Sequence, residues 1–306
     1  MSQQKIVKAV KAVKVGAKRC KLFLSGNKLI YSDGDHDLEL LLDAPNTAQN
    51  DRAWDSVAAF ELDAEQLALF DELSLLGANA VPGGQAVSAD EWSRVAWCSL
   101  ATEENYSRYS LAGVCFDGQN VVATNGKILF RSTINANFGG KLDRIVHART
   151  VKTVSALIKL FRDTSVLVFF HPNKIEVAGE NWRLVARLIE GRFPNWSQVP
   201  PHTQPNAVSG FDFVFRDSFL DEAKAAIKRH DLGVKAGTVD KTVLPTIEVS
   251  RSSWATPVKF DPRFIVDGLK LLQGSKTITA RIEVVGNPWL TIFGDNDSFA
   301  VISPIG

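Results

Sequence analysis

The sequence predicts an α+β protein assembled from three similar units. Helical and strand periodicities alternate along the 306 residues, and each unit contains two helices that are each followed by a few strands. The pattern restarts at intervals of about 100 residues. Two stretches rich in Pro, Gly and polar residues, Gly77–Gln85 and Val199–Asn206, indicate linkers. We therefore expect domains at 1–86, 87–203 and 204–306, with the first one abridged.

The first unit begins with a basic helix. The apolar residues of Lys5–Val15 recur at helical spacing, and the remaining surface of this helix carries Lys5, Lys8, Lys11 and Lys14. A second helix is expected at about Asp63–Leu76, with Asp63 as its N-cap. The strands between the two helices are predicted at Lys21–Leu24, Lys28–Tyr31 and Leu38–Leu42.

The second unit follows the same order. Ser88 caps a helix expected at Ala89–Glu103, whose first turn carries acidic residues that suit the positive end of the helix dipole. A second helix is expected at Ala148–Phe161. The strands of this unit are predicted at Tyr109–Phe116, Val121–Thr124, Ile128–Ser132, Val166–Phe170, Lys174–Ala178 and Trp182–Leu188.

The third unit repeats the pattern once more. Its helices are expected at Asp217–Arg229 and Pro262–Leu272. Its strands are predicted at Phe211–Phe215, Thr246–Val249, Thr256–Phe260, Thr277–Val285, Trp289–Phe293 and Phe299–Ile302.

The near-neutral net charge hides a separation of charge. The chain has 35 basic and 34 acidic residues, a net charge of +1, yet residues 1–32 hold eight of the basic residues and no acidic one. A lysine on a helix surface often serves only solvation. Its recurrence on several helices of an otherwise acidic chain favours a surface that follows a phosphate backbone. The basic residues on the later helices are Arg149, Lys152, Lys159, Lys224 and Lys228.

The composition argues against several classes of protein. No apolar run is long enough for a transmembrane helix, and the N-terminus lacks the apolar core of a secretory signal. The three cysteines, Cys20, Cys98 and Cys115, form neither a disulfide framework nor a CxxC pair, and no histidine has a second one at helical spacing. We expect a cytoplasmic protein without a metal or other cofactor.

Signals for catalysis are poor. The sequence contains no GxSxG, GxxxxGK[ST] or GxGxxG motif. The acidic run of Asp33, Asp35, Asp37 and Glu39 fails the spacing of an EF-hand loop. Its remaining interpretations are a Mg²⁺-dependent nuclease site and a polar turn that leads into a strand. We favour the polar turn and expect no enzyme activity.

Five segments of the chain carry a shared resemblance. Val122–Leu129 (VATNGKIL) and Leu188–Trp196 (LIEGRFPNW) are the most specific, and Arg108–Val114, Asn27–Leu40 and Phe299–Ile305 accompany them in a compatible order. They are similar to the ATDGHRLA, L(V/I)(D/E)GRFPDY, RYYLNG, TDLE and YVVMPM segments of bacterial sliding clamps, the β subunits of DNA polymerase III. The resemblance extends over nearly the whole chain.

The resemblance implies a DNA-clamp fold, in which each domain packs two helices on antiparallel sheets. Such chains pair head-to-tail into a homodimeric ring whose helices face a central hole that holds duplex DNA. The implied function is processivity, with a DNA polymerase, a clamp loader and other proteins with a clamp-binding motif as partners. The alternative is a clamp-like monomer that binds DNA or peptides without closing a ring.

By the same resemblance, a partner-peptide groove lies between the second and third domains. Its positions are matched by Leu111, Thr124, Gly126, Leu129, Pro194, Val199, Phe264, Val301, Ile302, Pro304 and Ile305. Arg108 and Tyr109 match a loop that contacts DNA. The sequence departs from the family pattern at Lys127, Ile128 and Gln198, and these departures bear on peptide specificity.

One segment has two interpretations. Gln66–Phe70 (QLALF) is similar to the peptides by which replication proteins dock onto such clamps. It also lies in a helical pattern in which Leu67, Phe70 and Leu73 form one apolar face. Both interpretations stay open, and the core face of a helix is the favoured one.

The chain is shorter than the family pattern. The first domain lacks the closing strands that the resemblance would place after its second helix, and the third is abridged between Arg229 and Thr246. The resemblance therefore implies a diverged clamp, of the kind that a phage or another mobile element encodes.

Overall fold

The structure is a computed structural model that combines helices with antiparallel strands, which confirms the predicted α+β class. None of the helices it describes is both long and apolar enough to cross a membrane. The described residues are 8–9, 21–25, 28–32, 36–41, 84–103, 110–199, 210–214, 217–249, 257–272, 278–283, 289–294 and 297–305.

The elements fall into four longer helices and a series of strands. The helices are α1 (Ala89–Cys98), α2 (Ala148–Phe161), α3 (Asp217–Lys235) and α4 (Pro262–Leu271). The strands are β1 (Lys21–Ser25), β2 (Lys28–Ser32), β3 (His36–Leu41), β4 (Gln85–Ser88), β5 (Gly113–Asp117), β6 (Asn120–Thr124), β7 (Ile128–Thr133), β8 (Ile145–His147), β9 (Ser165–Phe170), β10 (Lys174–Ala178), β11 (Trp182–Ile189), β12 (Gly210–Val214), β13 (Ile247–Val249), β14 (Val258–Phe260), β15 (Ile278–Glu283), β16 (Leu290–Gly294) and β17 (Phe299–Ile302). Short 3₁₀ turns lie at Ser99–Ala101 and Trp196–Gln198.

The helix α1 is shorter than predicted. It ends at Cys98, not at the expected Glu103. The Ser99 hydroxyl donates to the carbonyl of Ala96 (2.6 Å), and the Thr102 hydroxyl donates to that of Ser99 (2.8 Å). These bonds satisfy carbonyls at the helix end and tighten the chain into a 3₁₀ turn.

The helix α3 is longer than predicted and continues past Arg229 to Lys235. Its end is set by Gly237, which has a φ of 71°. The Gly237 N–H donates to the carbonyl of Val234 (3.1 Å), and the next N–H, that of Thr238, donates to the carbonyl of Gly233 (2.9 Å). This Schellman arrangement uses the freedom of glycine at positive φ to close the helix.

Two short strands, β4 and β8, were not predicted, and β5 begins at Gly113, not at Tyr109. Strands of three or four residues are too short to show a two-residue alternation. They form because neighbours pair with them: β4 with β9, and β8 with both β5 and β11. Residues 110–112 form a turn that precedes β5 instead of extending it.

Some predicted elements lie outside the described residues. They are the helix Asp63–Leu76 with its Gln66–Phe70 segment, and most of the helix Lys5–Val15. Of the latter, Lys8 is exposed and helical, and Ala9 is helical and buried in the core.

The strands form an extended antiparallel sheet that crosses from one unit to the next. Its order is β1-β2-β3-β11-β8-β5-β6-β7-β17-β16-β15-β12, and β10, β9 and β4 continue it from β11. Unit one is joined to unit two by the pairing of β3 with β11, which we call the first seam. Unit two is joined to unit three by the pairing of β7 with β17, the second seam.

The two seams are built alike. At each, the last strand of a three-stranded meander pairs with the last strand of a meander from the following unit. The first seam joins β1-β2-β3 to β9-β10-β11, and the second joins β5-β6-β7 to β15-β16-β17. The repeated junction is the structural counterpart of the repeat in the sequence.

The sheet has two different faces. Four helices cover one face, and the largest core cluster lies between them and the strands, with Trp92, Phe116, Phe130 and Trp182 almost fully buried. Burial of each such side chain stabilises the fold by about 1.5–3 kcal/mol. A second apolar cluster lies on the opposite face of the sheet, and we call it the outer-face cluster. Its buried members are Leu111, Ala112, Cys115, Val122, Leu129, Ile145, Ile189, Phe193, Phe299 and Val301.

The outer face of the first seam is charged. Arg183, opposite Glu39 in the strand register, donates from Nε to Oε1 of Glu176 at 2.6 Å. His171 Nε2 lies 3.3 Å from the other oxygen of Glu176. The Glu176 side chain is only 3% exposed, and Arg183 is its ion-pair partner.

Backbones approach closely where β5 meets β8. A Cβ on Gly113 would lie 2.6 Å from the carbonyl oxygen of Val146 and 2.8 Å from Cγ2 of Ile145. The first of these atoms belongs to the backbone and cannot rotate away. Glycine at this position therefore lets β8 pair with β5 beneath the outer-face cluster.

We expect Gly113→Ala to lower the free energy of unfolding by about 1–3 kcal/mol, because the added methyl group overpacks the β5–β8 contact. Urea unfolding followed by circular dichroism measures the change. The control is Gly140→Ala, whose Cβ would have 3.4 Å to its nearest atom. Equal stabilities for the two variants would contradict the close approach.

Candidate functional site

The second seam places apolar side chains on the outer face of the sheet. Leu129 of β7 lies opposite Val301 of β17, and both belong to the outer-face cluster. Their neighbours Phe130 and Ala300 point to the helix side instead, since successive residues of a strand face opposite ways. The seam thus supplies an apolar floor that draws on both units.

A hydrogen-bonded turn closes the end of the seam, between β6 and β7. The Thr124 hydroxyl donates to the carbonyl of Ile128 (2.5 Å) and accepts from the N–H of Gly126 (3.1 Å). The Asn125 side chain accepts from the N–H groups of Lys127 (2.9 Å) and Ile128 (3.0 Å). Gly126 has a φ of 86°, which explains glycine in this turn.

The segment that follows β11, still within unit two, forms a wall beside this floor. Phe193 is buried in the outer-face cluster, and its N–H donates to the carbonyl of Leu142 at 2.7 Å. Trp196 and Val199 pack on the same cluster and are partly exposed. The Trp196 indole is oriented by a hydrogen bond from Nε1 to Oδ2 of Asp117 (3.0 Å).

Arg131 connects the wall, the floor and the third unit. Its guanidinium lies 5.8 Å from the ring centre of Trp196 and 5.3 Å from that of Phe299. Its Nη2 forms an ion pair with Oδ2 of Asp297 (3.1 Å), and its Nε donates to Asn120 (2.8 Å). The Arg131 side chain is 13% exposed, so these contacts fix a largely buried cation at the second seam.

Of the predicted groove residues, the structure places four in or against the outer-face cluster and two on the helix side. Ile302 and Phe264 pack in the core on the helix side of the sheet. On the outer face, Leu111, Leu129 and Val301 are buried in the cluster and Val199 lies at its margin. Thr124 and Gly126 belong to the turn, Pro194 is exposed, and Pro304 and Ile305 follow β17 with partial exposure.

Residues absent from the sequence prediction complete this region. Arg131, Asp297, Trp196 and Phe299 interact across the second seam. Arg131 and Asp297 are far apart in the sequence, and no local period relates them. The alternation of β7 could have assigned Arg131 to the same face as Leu129, but only the pairing with β17 supplies its partner.

The helix side of the sheet carries the predicted cationic residues. On α2, Lys152 and Lys159 are exposed and Arg149 is partly exposed, along one stripe of a helix that contains no acidic residue. Lys224 and Lys228 are exposed one turn apart on α3. The remaining predicted DNA-contacting residues, Lys5, Lys11, Lys14, Arg108 and Tyr109, lie outside the described residues, and Lys8 is exposed.

The helix α4 differs from α2 in its charges. Arg263 is paired with Asp261 (2.6 Å) and Lys270 with Asp267 (2.7 Å). The Asp261 carboxylate beside it raises the pKa of Arg263 and holds this cation in place. The cations of α4 are therefore neutralised locally, whereas Lys152 and Lys159 of α2 make no ion pair with any described residue.

The structure gives no support to a metal site in the part of the chain that it describes. No group of three or more His, Cys, Asp or Glu residues there could hold a metal ion. Asp37 and Glu39 lie on β3, and Asp33 and Asp35 are outside the described residues. Cys98 and Cys115 are buried, and burial raises the pKa of both thiols far above the ordinary value, so neither is a reactive thiolate.

We expect Asp297→Asn to lower the free energy of unfolding by about 1–2 kcal/mol, because the largely buried Arg131 loses its anionic partner. Asparagine tolerates the φ of 56° at this position, so backbone strain does not contribute. Urea unfolding measures the effect. The matched control, Asp267→Asn, breaks the exposed pair with Lys270 and should cost about 0.5 kcal/mol or less. A larger loss in the control would contradict this role for Arg131.

Comparisons with known proteins agree with the geometry. No protein-family model matches the chain. A stretch of 110 residues is 31% identical to the β sliding clamp of Chlamydia pneumoniae, covering 33% of this chain and 29% of that protein. A stretch of 232 residues is 25% identical to the β sliding clamp of Streptococcus pneumoniae, covering 68% of this chain and 60% of that protein. The sequence matches thus span less than two thirds of these relatives.

Solved structures extend the similarity to the whole fold. The β chain of DNA polymerase III from Streptococcus pneumoniae has a TM-score of 0.67 at 15% identity, covering 99% of this chain and 98% of that one. The DNA polymerase sliding clamp from Caulobacter crescentus has a TM-score of 0.66 at 17% identity, covering 100% of this chain and 98% of that one. The chain has the sliding-clamp fold and is a diverged relative of the bacterial β sliding clamps.

Proposed function

We propose that this protein is a DNA sliding clamp, a non-enzymatic processivity factor that encircles duplex DNA and tethers a replicative DNA polymerase. The observation that carries the proposal is that the two faces of one sheet differ in their chemistry. One face bears helices with exposed lysines that form no ion pair with a described residue, and the other bears the apolar outer-face cluster at the second seam.

The cationic face suits duplex DNA held without tight contacts. Lys152 and Lys159 project from α2, and Lys224 and Lys228 project from α3. Long, flexible lysines attract phosphates from any sequence, and they do not impose the base contacts that would stop sliding. Duplex DNA is therefore the proposed ligand of the helix side.

The outer face suits a short apolar peptide. Trp196 and Val199 are partly exposed and pack against the cluster that buries Leu129 and Val301, and this apolar surface fits a Leu/Phe-bearing segment of a partner. We assign this groove to a DNA polymerase, with a clamp loader and other motif-bearing proteins as competitors. The proposed groove keeps Leu111, Thr124, Gly126, Pro194, Pro304 and Ile305 as its further members. Ile302 and Phe264 would support it from the helix side.

The assembly that we propose is a homodimeric ring of units 1–86, 87–203 and 204–306. Strand pairing joins the units within a chain, and the same kind of pairing between chains would close the ring. The expected site of action is the cytoplasm, where replication takes place.

A peptide of the QLxLF type should bind the groove, and we expect the double variant Pro194→Glu, Ile305→Glu to weaken this binding at least about tenfold, because it puts two charges at an apolar site. Both positions retain exposure, so the fold should persist. Fluorescence anisotropy of a labelled peptide measures the affinity. The matched control is Pro172→Glu, an exposed proline in the turn between β9 and β10. Unchanged affinity of the double variant would refute the groove.

The DNA contact should depend on the helix α2. We expect the double variant Lys152→Ala, Lys159→Ala to weaken duplex binding and to reduce the slope of log K against log salt by about 1–2, because two phosphate contacts are lost. Titrations at several salt concentrations measure the slope. The control is Lys141→Ala, beside Leu142 of the outer-face cluster and exposed. An equal change of slope in the control would assign the effect to net charge alone.

A further inference from the structure

Among the described strands, the β13–β14 pair of the third unit has fewer neighbours than the matching strands of the second. In unit two, β5 pairs with β8 on one side and with β6 on the other. In unit three, β13 and β14 form the pair that matches β5 and β8, with β14 directly before α4 as β8 is before α2. Residues 118–144 separate β5 from β8 and carry β6 and β7, whereas only residues 250–257 separate β13 from β14.

This difference leaves one edge of β13 without a partner among the described strands. The orientation of its backbone follows from a contact on the far side of β14, where the N–H of Ile305 donates to the carbonyl of Lys259 (2.8 Å). The N–H and C=O of Lys259 thus point away from β13. Glu248 lies opposite Lys259, so the two form a non-hydrogen-bonded pair, and the N–H and C=O of Glu248 point away from β14. They face the open edge.

Exposed apolar side chains precede β13 in the chain. Val243 and Leu244 lie just before β13 and are 55% and 39% exposed, among the most exposed large apolar residues of the described chain. The loop that carries them is held against α3, because Nε2 of His230 lies 2.6 Å from the carbonyl oxygen of Val243. A strand of three residues offers few hydrogen bonds, and these side chains would add apolar area to any contact made there.

We infer that the β13 edge, together with Val243 and Leu244, is the surface through which a second copy of this chain attaches. The choice of occupant rests on the two seams, at both of which units of this same chain join by antiparallel strand pairing. The β13 edge offers the next unit the same kind of backbone contact. The inference rests on the proposed ring. At the second seam the pairing strand is β7, whereas β13 corresponds to β5, which lies two strands earlier in the sheet. The sheet would therefore be shorter at the junction between chains by about 10 Å.

The test compares Glu248→Pro with Glu248→Ala in the full chain, by sedimentation equilibrium. Both variants remove the exposed ion pair with Lys259, but only proline removes the N–H at the open edge. That N–H makes no bond to β14, so the hairpin should persist, as circular dichroism can verify. We expect the proline variant to weaken dimerisation at least about tenfold and the alanine variant less than about threefold.

A second pair of variants covers the case in which the proline variant does not fold. Val243→Asp with Leu244→Asp should weaken the dimer, and Leu100→Asp, exposed on the 3₁₀ turn after α1, should not. In wild type, hydrogen exchange of the Glu248 amide should slow as the dimer forms. A dimer that is insensitive to the changes at 248, 243 and 244 overturns the inference and leaves the ring intact. A chain that stays monomeric overturns the inference and ring closure together, while peptide binding still tests the groove.

Discussion

The pairing of β7 with β17 is the contact on which the rest of the structure depends. It joins units two and three through backbone hydrogen bonds, which do not depend on side-chain identity, so the two faces of the seam are free to differ. Phe130 and Ala300 face the helices, and Leu129 and Val301 face outward. The helix α4 approaches this seam closely because Gly268 lies on its buried face: a Cβ there would come within 3.0 Å of the Ala300 side chain.

Charge is organised by the same sheet. The net charge of the whole chain, +1, describes neither face of the sheet. On the helix side, Lys152 and Lys159 of α2 are exposed, and the cations of α4 are matched by Asp261 and Asp267. At the second seam, Arg131 is used differently: it lies between two aromatic rings and holds Asp297 of the following unit. The exposed lysines of α2 can thus attract anions over a distance, whereas Arg131 holds the second seam together.

The sequence allows much of this to be predicted, within physical limits. The helix α2 was predicted with its observed bounds, because its buried residues recur at helical spacing and its cations do not interrupt them. The run Phe299–Ile302 was predicted as a strand, but four consecutive buried residues do not reveal which two face the helices. Ile302 was assigned to the groove by the resemblance, and the structure places it on the helix side instead. The pairing of Arg131 with Asp297 depends on the register of β7 against β17, which no local pattern encodes.

The two seams share a backbone plan and differ in chemistry. At the first seam, the outward Arg183 lies opposite Glu39 and pairs with Glu176 of the neighbouring β10, whereas at the second, the outward Leu129 and Val301 are apolar and lie beside Arg131. An apolar peptide that bound over the first seam would have to remove water from the paired charges there. The few contacts of such a peptide could not offset the desolvation free energy. Two junctions with the same backbone plan can therefore present different surfaces, because only a few outward side chains distinguish them.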